Sequence, residues 1–159
     1  MSFEETLESS RTLNELLPEL KIQLTKRMII MGAVSSRDWQ PIHHDTEYAR
    51  EQAALPDIIM NNYSQAGWIS RYVTDLLGAN SRLGRLKFSM LSPLCPGDEA
   101  VFSGRVKSCE QSSGMRWLEL LINIHVGERL ATKAALRVAV AESGDGSSPW
   151  QCDPAQRKP

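Results

Sequence analysis

An α+β fold, with a curved antiparallel β-sheet wrapped around one long central helix, is what the order of hydrophobic periods along this chain predicts. Three observations carry that expectation. One long, strongly helical stretch covers residues 61–78; the period then changes to two and stays there; and turn-forming clusters separate the alternating runs. The chain has 159 residues, enough for a single domain with its own core. Laying one helix against a sheet is the economical way to bury the apolar faces of both.

The elements follow in order. Residues 1–18 are expected to be a flexible lead, with a short helical tendency in Leu13-Asn14-Glu15-Leu16-Leu17, and the folded domain to span 19–141. Lys21-Ile22-Gln23-Leu24 alternates as a strand does. Thr25 can cap a helix running through Val34, and a short helix is expected over 46–53, ending before Leu55-Pro56. In the long helix Asn61 is a cap and Gly78 a stop. Its apolar face is Ala66, Ile69, Val73, Leu76 and Leu77, and Gly67 would let a neighbour approach closely. Strands are expected at 83–91, 100–107, 116–126 and 129–140, with Pro93-Leu94-Cys95-Pro96-Gly97-Asp98 and Gly127 as turns. Residues 142–159, with Gly144, Gly146, Ser147, Ser148 and Pro149, have little reason to fold, and Trp150 is expected to be an exposed tail aromatic.

Composition narrows the function. Eighteen basic against nineteen acidic side chains give a net charge of -1, which leaves no electrostatic footprint for nucleic acid. Arg82, Arg85 and Lys87 form a local basic spot, suited to a solvated surface or to the phosphates of a carrier. Cys95, Cys109 and Cys152 are odd in number and widely spaced, so they make neither a disulfide framework nor a metal motif. The acidic start Met1-Ser2-Phe3-Glu4-Glu5 lacks the form of a secretory signal and no apolar run reaches membrane-spanning length, so a cytoplasmic location is expected.

Asp38 and His43 are the candidate catalytic pair. They stand five residues apart across Pro41, which fixes its own φ and biases Gln40 toward extended geometry, so the segment is a turn. A carboxylate and an imidazole there can manage one water molecule and its protons. A purely structural reading also stands, because Asp45 with Glu47 can simply open a helix. His44 can serve as the working imidazole or as a surface group.

With these residues in hand, the pattern Asp38-x-x-Pro41-x-His43-His44-Asp45, then Tyr48-Ala49, the long helix and Pro96-Gly97-Asp98, resembles the MaoC-like acyl dehydratases, the hydratase branch of the hot dog fold. The likeness spans roughly residues 20–140. It implies reversible addition of water to the double bond of a 2-enoyl-CoA thioester, with Asp38 and His43 as acid and base and no metal or cofactor. It implies substrate-binding positions at Asn61, Asn62, Tyr63 and Gly67, the residue at 62 turning a backbone N–H toward the thioester oxygen. Two departures from the family pattern are Gln40 in place of Asn, and Asn61-Asn62 in place of His-Gly. Together with Ser70-Arg71-Tyr72-Val73-Thr74-Asp75 they resemble the subunits of actinobacterial steroid side-chain degradation more than short-chain hydratases. The partners so implied are an acyl-CoA and either a second copy or another hot dog subunit, with no nucleic acid and no membrane. Two alternatives accompany this reading: an acyl-CoA-binding subunit whose companion supplies chemistry, and a hot dog thioesterase.

Overall fold

The computed structural model describes residues 16–112, 114–141 and 148–151. In chain order they form β1 (Leu16–Gln23), α1 (Lys26–Ser35), one turn of 3-10 helix (Pro41–His43), α2 (Thr46–Glu51), α3 (Asn62–Leu77), β2 (Ser81–Met90), β3 (Glu99–Ser112), β4 (Met115–Val126) and β5 (Arg129–Ala141). The strands make one five-stranded sheet in the order β1-β3-β4-β5-β2, antiparallel throughout. This is the expected hot dog arrangement of a sheet around the long helix α3.

Strict alternation places the core. Leu118, Leu120, Ile122 and Ile124 of β4 are buried on the helix side, and each fully buried side chain of this size stabilises by about 1.5–3 kcal/mol. Leu120 lies between Val106 and Leu136, and Ile122 between Gly104 and Ala134. Gly104 is small for a reason: a Cβ there would meet the Ile122 side chain and stand 2.9 Å from the Leu121 carbonyl. From the helix, Ile69, Val73 and Leu77 complete the core.

Two polar residues share that helix face. Gln65 and Thr132 are both buried, and the Thr132 hydroxyl donates to Gln65 Oε1 at 2.6 Å, joining α3 to β5. Tyr72 is buried as well, its hydroxyl donating to the Pro18 carbonyl at 2.7 Å. Burial pushes the Tyr72 phenol up to about 12.

Several expectations need correction. Leu16 and Leu17 are strand, opposite Arg105 and Gly104, because burying Leu17 against the sheet outweighs the weak helical pattern. Pro18 sits where the register of this edge strand shifts, a position that needs no N–H. The other residues of that lead lie outside the described ones. Gly67 has nothing within 4 Å of where a Cβ would be; the close approach is at Gly32, where a Cβ would collide with the Ser64 side chain. β3 and β4 extend further than alternation suggested, pairing out to Ser112 and Met115. Trp150 is exposed yet held, with the Arg82 guanidinium 5.4 Å from its ring and donating to the Pro149 carbonyl at 3.3 Å. Residues 142–147 and 152–159 lie outside the described ones, Cys152 among them; Cys95 and Cys109 are free thiols. No described helix is long and apolar enough to cross a membrane.

Candidate active site

The end of α1 aims Asp38. The Asp38 N–H bonds the Ala33 carbonyl at 2.9 Å and the Arg37 N–H bonds the Val34 carbonyl at 3.1 Å, the paired bonds of a Schellman motif. Arg37 is its left-handed residue, with φ of 54° where glycine is usual. The aspartate therefore leaves the helix in a direction set by main-chain bonds.

Pro41 opens the next turn and needs no N–H there. The His43 N–H bonds the Gln40 carbonyl at 3.1 Å, and the Asp45 N–H returns to the Pro41 carbonyl at 2.8 Å. Asp45 then caps α2 through the Tyr48 N–H at 3.0 Å. The helix-start reading of Asp45 and the turn reading of Pro41 are thus both realised, side by side.

This turn brings His43 Nε2 to 3.2 Å from Asp38 Oδ2, with the two side chains 6% and 11% exposed. His43 Nδ1 lies 2.7 Å from the Ile59 carbonyl. A carbonyl only accepts, so Nδ1 carries a proton and Nε2 is the nitrogen turned to the carboxylate. His44 is exposed, its Nε2 3.4 Å from the Trp39 carbonyl.

The segment that supplies Ile59 is itself fixed. The Ile58 N–H bonds Asp57 Oδ1 at 2.7 Å, the Ile59 N–H the Ile42 carbonyl at 3.0 Å, and the Met60 N–H the Leu94 carbonyl at 2.8 Å. The Ile58 N–H, with the Arg50 guanidinium 3.0 Å away, holds the Asp57 carboxyl below its ordinary value. Asn61 follows, buried, with its Oδ1 accepting from the Ser64 N–H at 3.0 Å. Its Nδ2 donates to Asp38 Oδ2 at 3.1 Å and to Ser36 Oγ at 2.8 Å.

Of the expected substrate-binding residues, Asn61 thus turns its side chain to protein groups, while Asn62, Tyr63 and Gly67 are exposed. Tyr63 and Gly67 line a groove of about 480 Å³ between α1 and α3 with Met28, Met31, Trp68 and Ser36. Ser36 links this groove to the Asp38 network. The Ile59 carbonyl left no signal in the sequence, since any residue supplies one, and Ser36 was legible only as a small residue after a helix.

Comparisons with known proteins give the chain relatives in sequence and in fold. The chain is 34% identical over 90 residues, 57% of its length and 69% of the relative's, to the 3-oxo-4,17-pregnadiene-20-carboxyl-CoA hydratase beta subunit of Mycobacterium tuberculosis. Among solved structures, the ChsH1-ChsH2 complex from M. tuberculosis superimposes with a TM-score of 0.70 at 24% identity, covering 81% of this chain and 98% of the other. The (R)-hydratase from A. caviae involved in PHA biosynthesis does so with a TM-score of 0.69 at 21% identity, covering 82% and 97%. The MaoC like domain matches residues 9–119, from ahead of β1 into β4 and across the whole Asp38 to Asn61 region. On that match the chain belongs to the MaoC-like domain family.

Proposed function

We propose that this chain is a hydro-lyase that adds water reversibly across the 2,3 double bond of a 2-enoyl-CoA thioester, giving a 3-hydroxyacyl-CoA. The observation that carries the reading is the Asp38–His43 contact, with the imidazole fixed from behind by Ile59. With Nδ1 protonated, a neutral Nε2 and an ionised carboxylate would set two acceptors face to face. The 3.2 Å contact is favourable only with one proton between them, so the pair works as a unit with one mobile proton.

A water beside the pair loses a proton to one partner as its oxygen bonds to C3. The electrons of the double bond shift toward C2 and the thioester oxygen, and the other partner's proton reaches C2. The charge that grows on the thioester oxygen is met by the Asn62 N–H at the start of α3, the next two N–H groups, of Tyr63 and Ser64, being taken by the Asn62 and Asn61 side chains. Every atom of the water ends in the product, so the step requires no oxidant or reductant.

The acyl group is proposed to lie against the groove lined by Met28, Met31, Tyr63, Gly67 and Trp68. A wide apolar wall left open at Gly67 suits a bulky acyl group, and the relative named as a pregnadiene-carboxyl-CoA hydratase subunit supports a steroid side-chain substrate. Structural neighbours named as the ChsH1-ChsH2 and HadBC complexes support a second hot dog subunit as partner.

Absorbance of the conjugated enoyl-thioester band, followed with linear and steroidal 2-enoyl-CoA substrates, tests this. Loss of the band without thiol release, abolished by Asp38→Asn and by His43→Ala, is the expected result. Release of free thiol would replace the reading with a thioesterase. A wild-type chain that binds the thioester yet leaves the band intact would assign the chemistry to a complex with its partner.

A further inference from the structure

Asn61 occupies a position for which the sequence offered two roles, helix cap and substrate contact. The structure gives its side chain a third. All its polar atoms are engaged: Oδ1 takes the Ser64 N–H at 3.0 Å, and Nδ2 donates to both Ser36 Oγ and Asp38 Oδ2. The amide orientation follows from the cap, because only the oxygen can accept from the Ser64 N–H; the NH₂ must then point at Asp38. Asn61 is 2% exposed, so these bonds lie away from solvent.

We infer that Asn61 is a positioning residue that sets both the orientation and the charge state of Asp38. It delivers a fixed N–H to the same oxygen that faces His43, so a change of that donor acts directly on the dyad. The other oxygen, Oδ1, has only a long contact of 3.5 Å from the Gln40 N–H, which leaves it as the oxygen presented to a reactant. The arrangement also ties the dyad to α3. Ser36 caps α1, its hydroxyl donating to the Gly32 carbonyl at 2.7 Å, and Asn61 caps α3, so one amide locks two helix ends around the carboxylate.

The groups that would answer to a change at Asn61 are few. His43 comes from the 3-10 turn; His44 is turned to the Trp39 carbonyl; Asp45 is spent on the cap of α2; from α1 and α3, Ser36 and Ser64 are uncharged. Arg37, next to Asp38 in the chain, is exposed.

The discriminating variant is Asn61→Asp. Aspartate caps a helix as well as asparagine does, so α3 keeps its start. The donor to Asp38 becomes a second carboxylate beside the first, and two carboxylates sharing a site resist joint ionisation. Nuclear magnetic resonance titration of the His43 ring, in the purified chain without substrate, is the primary readout. Its midpoint is expected to move upward by about one pH unit in Asn61→Asp, from the added negative charge, with thermal stability lowered at neutral pH and recovering as pH falls and the carboxylate pair takes up a proton. In parallel, the acid limb of the hydration rate is expected to move upward by about one to two units, with kcat lowered more than KM. Asn61→Ser keeps a cap but is too short to serve both helix ends, and is expected to shift the acid limb in the same direction by less. It also serves if Asn61→Asp does not fold. An unchanged His43 midpoint in a folded Asn61→Asp chain would overturn the inference. A loss of thermal stability with an unmoved pH profile in both variants would do so too, since that is what a plain cap would show. The inference rests on the proposed roles of Asp38 and His43, but the ring titration needs no turnover. A chain that hydrates nothing would therefore fail the functional reading alone.

Discussion

Thr132→Val is the substitution whose effect follows most directly from the packing. Valine has nearly the same shape as threonine, so the core around position 132 keeps its volume. What is lost is the hydroxyl donating to Gln65 Oε1 at 2.6 Å, between residues that are 0% and 2% exposed. Gln65 Oε1 would then be buried without a donor, and an orphaned buried acceptor costs about 1–3 kcal/mol. For a chain of this size each kcal/mol moves the melting temperature by about 2–4 °C, so a fall of about 2–12 °C is expected. The companion variant, Gln65→Leu with Thr132→Val, removes both polar partners and should recover part of that loss, because paired apolar replacement is close to neutral. Chemical denaturation of wild type, both single variants and the double variant closes the cycle, with an unchanged denaturant slope confirming that only stability moved. A Thr132→Val loss below about 0.3 kcal/mol, or two single losses that simply add, would refute the claim that this pair is coupled.

Other consequences can be checked alongside. Gly67→Leu projects into the α1–α3 groove with no neighbour in its way, so the melting temperature should hold while affinity for a steroidal enoyl-CoA falls about tenfold more than for a four-carbon one. Equal losses would place the acyl group elsewhere. The Tyr72 phenol is raised to about 12, so its contribution is complete below the ordinary phenol range near ~10 and fades as pH climbs through about 12. Tyr72→Phe should flatten that alkaline decline in a stability profile. Asp57 is lowered, so its contribution is present above the ordinary carboxylate value and is lost as pH falls through the folded one. Asp57→Asn should remove this part of the acid dependence, and an identical acid limb would show that the Ile58 and Arg50 contacts contribute nothing.

Elements with strong periodicity or clear caps were legible in the amino-acid order. Thr25, Asp45 and Asn61 cap the three helices expected of them, and Gly78 ends α3 with φ of 78°. The β4 alternation located the core directly. What escaped was set by tertiary partners. Gln65 and Tyr72 look polar along a helix wheel, and only Thr132 and the Pro18 carbonyl make their burial favourable. Gly67 and Gly32 look alike in one dimension; which one meets a neighbour depends on how α1 crosses α3. At the site, the spacing of Asp38, Pro41 and His43 was visible, while the Ile59 carbonyl behind the imidazole was not.

The Schellman turn that launches Asp38 separates two things that usually change together. The stretch of chain that carries the carboxylate is aimed by main-chain carbonyls and amides of residues 33–38, while the side chains of α1 that face the groove, Met28, Met31 and Ser35, take no part in that aiming. On the proposed function, drift at those three positions resculpts what the groove accepts and leaves the proton chemistry where it is. In that reading substrate range and reactivity become independently mutable along one helix and the turn that leaves it.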